Sequence, residues 1–151
     1  MSVYKNFDQN NYDKNDQLTR DAVLRYLRGE GHYVIENPDK YGPDLILYSG
    51  YKPVAYIEVE RKLVWRGANF PYPTVNLPER KAKFLKTKLP IDFWILNHDL
   101  NCAMIIPDLA VELKFLNEVA NSSIASGEMF YQIPLELCNY VELTQGSVAN
   151  E

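Results

Sequence analysis

The spacing of apolar and polar positions changes several times along the chain. Behind Asp16, a residue suited to an N-cap, Leu18, Ala22, Val23, Tyr26 and Leu27 recur at helical spacing. Gly29 and Gly31 stop that helix after Arg28. Residues 1–15 show no apolar period and read as a flexible N-terminal arm. Strands follow at His32–Glu36, Asp44–Tyr48 and Val54 to about Leu63. The turn Ser49–Pro53 is tight enough to return the third of these antiparallel to the second. Residues 64–78 form a long loop rich in aromatics and proline, a length that in compact domains often carries function. A second helix is expected just after Asn76 or Leu77, with Pro78 in its first turn, through Lys88 and ended by Pro90. Strands Asp92–Asn97 and Cys102–Pro107 precede a third helix from Asp108 to about Val119. Met129–Ile133 reads as a short strand and Leu135–Tyr140 as a short helix or turn. The order α-β-β-β-α-β-β-α gives an α/β or α+β class, with one mixed sheet between helices.

No repeat, low-complexity tract or linker interrupts this order, and 151 residues suit a single domain over 1–151. At 46% hydrophobic and 24% charged, the composition is that of a globular domain with a core of its own. No apolar run approaches the roughly 20 residues that cross a bilayer, and no signal peptide opens the chain. Cys102 and Cys138 make neither a disulfide framework nor a cysteine zinc site. The expectation is a cytoplasmic protein, not secreted and not membrane-bound.

Charge alters the picture. The net charge is −4, yet the segment from Arg61 to Lys88 holds eight basic residues and one acid, a surplus of +7. Such a block either holds a phosphate backbone or is a solvated helix face. Arg80, Lys83 and Lys86 share one face of the second expected helix by i,i+3 spacing.

Carboxylates supply the candidate chemistry. Strand alternation puts Glu58, Glu60 and Lys62 on one face. The hairpin return places Asp44 roughly opposite Ile57 and Glu58. Three carboxylates then converge, with Lys62 at their edge. Repulsion among them is unfavourable, and a hard divalent cation relieves it. Edge-strand protection does not require a matching Asp on the neighbouring strand.

At Gly42–Pro43–Asp44 and Glu58–Val59–Glu60–Arg61–Lys62 the sequence resembles the PD-(D/E)xK nuclease superfamily, which includes restriction endonucleases and Holliday-junction resolvases. RDAVLRYLRGEG, from Arg20 to Gly31, also looks like the first helix of the resolvase branch. The resemblance implies an α/β restriction-endonuclease-like fold with an αβββαβ core and a mixed central sheet flanked by helices. Glu60 stands at the usual lysine position, giving a Glu-x-Glu variant; alternatively Glu60–Arg61–Lys62 is the motif slid two residues along the same face. By that resemblance Asp44, Glu58, Glu60 and Lys62 are the catalytic set. Asp44, Glu58 and Glu60 bind Mg²⁺ or Mn²⁺, while Arg80, Lys81, Lys83 and Lys86 contact DNA. Asp16 and Asp21 are the candidates for an added acid from the first helix. The expected activity is Mg²⁺-dependent endonuclease cleavage of DNA by a homodimer, and the small size fits a phage or mobile-element nuclease. The alternative is a catalytically silent nuclease fold serving as a binding or structural module, for instance of a phage particle. Trp65, Phe70 and Tyr72 either stack on bases or pin the loop to the core.

Overall fold

The computed structural model describes residues 9–121 and 124–143. Its order is α1 (Gln9–Gly29), β1 (Tyr33–Glu36), β2 (Leu45–Ser49), β3 (Lys52–Arg61), β4 (Thr74–Pro78), a 3₁₀-helix (Glu79–Lys86), β5 (Ile91–Leu96) and β6 (Cys102–Pro107). Two short 3₁₀ turns, Asp108–Ala110 and Leu113–Phe115, lead to β7 (Leu116–Asn121) and β8 (Ile124–Pro134). A further turn, Leu135–Leu137, precedes β9 (Asn139–Glu142). A six-stranded sheet runs in the order β1-β2-β3-β5-β6-β9, and a three-stranded sheet in the order β4-β8-β7. In the larger sheet β3 and β5 are parallel, while the other pairs are antiparallel. This is a mixed α/β fold with a mixed central sheet.

Period-2 alternation assigns the two faces of the larger sheet. Ile57 and Val59 of β3, with Trp94 and Leu96 of β5, join Ala22, Val23, Leu24 and Leu27 of α1 in one core. Ile91, Phe93 and Ile95 turn the other way, onto Val75 and Leu77 of β4 and Tyr131 and Ile133 of β8. Phe93 is almost fully buried there, and burying a side chain of its size contributes about 1.5–3 kcal/mol. One face of the larger sheet is thus covered by α1, and the other by the smaller sheet. Gly50, at φ 62°, supplies the left-handed residue that reverses β2 into β3.

Four expectations about elements are corrected. Helix α1 begins at Gln9, so the expected arm loses residues 9–15 to the helix; residues 1–8 lie outside the described residues. The segment expected as a helix after Asn76 or Leu77, through Lys88, is the end of β4 followed by a 3₁₀-helix. Val75 and Leu77 are buried by pairing with β8, and Pro78 stays extended at ψ 139°, so no α-helix starts there. The expected third helix from Asp108 is two 3₁₀ turns and β7. Asp108 does not cap a helix: its Oδ2 accepts the Ile91 amide at 3.1 Å. Likewise Leu135–Tyr140 is a turn running into β9, which completes the larger sheet.

The long loop is anchored rather than open. Trp65 is fully buried, with Phe70 edge-on at 4.9 Å and Tyr72 edge-on to Phe70 at 5.4 Å. Buried Asn97 ties this loop to the β5–β6 turn. It donates to the Gly67 carbonyl and to Asn101 Oδ1, and accepts from the Asn101 and Cys102 amides. No described helix is long and apolar enough to cross a membrane.

Candidate active site

The β2–β3 hairpin builds the site. Leu45 pairs with Ile57, which sets Asp44, one residue before β2, against Glu58. The Asp44 amide donates to Glu58 Oε1 at 3.1 Å, and the Val59 amide donates to Asp44 Oδ2 at 2.9 Å. The two carboxyl groups are therefore locked by backbone donors rather than by free rotamers. Glu58 faces away from α1, toward the side where the 3₁₀-helix lies. From that helix Lys81 Nζ donates to Glu58 Oε2 at 2.5 Å. On α1, Arg20 forms ion pairs with Asp16 and with Glu36, and its Nη1 stands 3.7 Å from Asp44 Oδ1. Asp44, Glu58, Lys81 and Arg20 line a cleft of about 540 Å³ with Arg80 and Lys83 at its wall.

Burial, reinforced by the Glu58 charge, pushes the Asp44 carboxyl up to about 7. Asp16 is also raised, by burial and by Asp44, against the pull of Arg20. Burial lowers the Lys81 ammonium, but the Glu58 carboxylate outweighs it, so Lys81 stays above its ordinary value and charged.

Of the three carboxylates expected to converge, the structure brings Asp44 and Glu58 together and sets Glu60 apart. Glu60 shares the face of Glu58 but lies two residues farther along β3, about 7 Å away at the strand rise. It borders an adjoining cleft of about 290 Å³, with Lys81, Arg80 and Asp16 between the two spaces. Its Oε1 is buried with no hydrogen-bond partner among the described residues, and burial raises its carboxyl against Lys81, Arg80 and Lys62. The expected three-carboxylate convergence is corrected accordingly. Among the described residues no three His, Cys, Asp or Glu side chains stand together as metal ligands. The Lys62 ammonium lies 5.0 Å over the Tyr72 ring of the long loop, and its charge also acts on Glu60. Lys81 was expected only as a backbone contact, yet it is the lysine at the carboxylates. The signal was available, because Lys81 falls off the i,i+3 face shared by Arg80, Lys83 and Lys86. Of the first-helix acids, Asp16 borders both clefts, whereas Asp21 Oδ1 accepts the Gln17 side chain at 2.8 Å. Asp16 also lies inside α1, one helical turn before Arg20, rather than capping it.

A divalent ion of the Mg²⁺ type usually takes one or two protein carboxylates, completing its shell with water and phosphate oxygens. Asp44 and Glu58 fit that donor set. Each ionised carboxyl has about four lone-pair sites, and only one bond from Val59 and two from Asp44 and Lys81 are committed. Protonation of Asp44 near neutrality is the cost of holding the pair without a cation.

No protein-family model matches this sequence, and no significant match is found among curated proteins. Among solved structures, the chain is similar to Hjc, a Holliday junction resolvase from the archaeal hyperthermophile Archaeoglobus fulgidus. The two share 13% identity with a TM-score of 0.45, over 85% of this chain and 84% of that one.

Proposed function

We propose that this protein is a metal-dependent nuclease hydrolysing phosphodiester bonds in DNA. The observation that carries the reading is a buried Asp44–Glu58 pair joined to Lys81, in a cleft walled by Arg80 and Lys83. Asp44 and Glu58 would hold Mg²⁺ or Mn²⁺. Such an ion supplies a water of lowered pKa and neutralises charge developing on a phosphoryl group. Lys81 remains an ammonium, so it does not act as the base. It is placed to donate a hydrogen bond to a phosphate oxygen and stabilise its added negative charge. Glu58 fixes the rotamer of Lys81, and the Val59 amide fixes that of Asp44. Glu60, with its unpartnered Oε1, orients water from the adjoining cleft. Arg80 and Lys83 hold the nucleic-acid backbone at the cleft wall.

The test is incubation of the protein with plasmid, single-stranded and branched DNA in Mg²⁺, in Mn²⁺ and in a chelator. The wild type is expected to cut only with a divalent ion, and Asp44→Ala to abolish cutting. Cleavage that survives Asp44→Ala undiminished, or that ignores the chelator, would overturn the reading.

A further inference from the structure

A 3₁₀-helix has three residues per turn, so residues three apart eclipse one another in a straight column. In the helix Glu79–Lys86 this aligns Arg80, Lys83 and Lys86, and all three side chains are exposed. An α-helix would fan them around its axis at 3.6 residues per turn. Lys81 and Phe84, also three apart, form the neighbouring column, about 120° round the axis, and face inward. The basic column therefore has an inner partner that holds it in place. Among the described residues no carboxylate lies within ion-pair distance of Arg80, Lys83 or Lys86. Arg80 borders both clefts, Lys83 borders the larger one, and Lys86 lies beyond it. The rise of about 2.0 Å per residue sets successive charges about 6 Å apart.

We infer that this column grips three consecutive phosphates of one nucleic-acid strand and guides that strand into the Asp44–Glu58 cleft. The partner is a polyanion whose charges repeat along a line at the spacing of the cations. One strand's backbone meets that requirement, and the facing strand of a duplex, a groove away, does not. The inference deepens the nuclease reading, since it names the part of the substrate held beside the site. It also stands on its own as a binding claim.

The experiment measures binding without cutting, in Ca²⁺. A short oligothymidine is prepared as a set, each member carrying one neutral methylphosphonate at a different position. Binding of each member is titrated with salt for the wild type and for Arg80→Ala, Lys83→Ala and Lys86→Ala. Each phosphate contact on a single strand contributes about −0.7 to the slope of log K against log salt, so the triple variant should flatten the slope by about 2. Each single variant should be insensitive to one methylphosphonate position, and the three positions should be adjacent and in chain order. Equal sensitivity at all positions, or an unchanged slope in the triple variant, overturns the inference. So does coupling to phosphates on both strands of a duplex carrying the same substitutions. Cutting by the wild type in Mg²⁺ is assayed separately. Intact coupling without cutting removes the nuclease reading alone, and cutting without coupling removes the column alone.

Discussion

Asp44 binds its proton more tightly in the folded chain than in the unfolded one. Its folded value is about 7, whereas a free Asp titrates near about 3.9. The folded state therefore holds the extra proton between those limits, and metal-free stability falls as pH rises from about 4 to 7. Asp44→Asn keeps an oxygen for the Val59 amide and removes the charge. In a chelator at pH 8 it should melt above the wild type, with the gap closing by pH 4. A gap independent of pH in scanning calorimetry would contradict the assignment of that charge. Lys81 and Lys62 make a second contrast. Losing one donor aimed at developing charge typically costs about 10²–10³ in rate. Lys81→Met should lose activity on that scale, while Lys62→Ala should change the initial rate little, since its ammonium rests on Tyr72. The reverse order in single-turnover cleavage would return the motif to Glu60–Arg61–Lys62.

The elements show why part of the fold was legible and part was not. The β2–β3 hairpin was readable because Gly50 and the apolar runs on either side are local signals, and with it came the Asp44–Glu58 apposition. Strand β4 was not. Thr74–Pro78 has no turn partner nearby, and its pairing with β8 is decided more than fifty residues away. Without that strand the following segment reads as an α-helix, and Lys81 as one more DNA contact on it. Likewise Leu116–Asn121 carries helix-compatible residues and becomes a strand only by its pairing with β8. The 62–73 loop is governed by Asn97, whose side chain makes four hydrogen bonds in the interior. Leaving buried amides unsatisfied costs about 1–3 kcal/mol each, so Asn97→Ala should lower stability by at least that in urea unfolding. A change within experimental error would mean the loop is held by Trp65 alone.

At the scale of the whole molecule, the +7 surplus of Arg61–Lys88 overstates the charge available to a polyanion. Arg61 is spent on the His98 carbonyl and Lys81 on Glu58. Three contacts from Arg80, Lys83 and Lys86 would give a duplex salt slope near about −3 at −0.9 each, whereas engagement of the whole block would be about twice as steep. Filter binding across a salt series separates the two. The division into two sheets also has a consequence in time. Lys81 follows β4 by three residues, and β4 is held by β8, with Leu77 opposite Tyr131. Pairings so distant in sequence close late, because the loop entropy precedes the reward. A chain emerging from the ribosome can assemble the α1–β3 hairpin region with its two carboxyls long before β8 exists. On the nuclease reading it has no positioned lysine during that interval, so an unfinished copy is harmless to the nucleic acid around it, and cutting begins only after β8 has been synthesised.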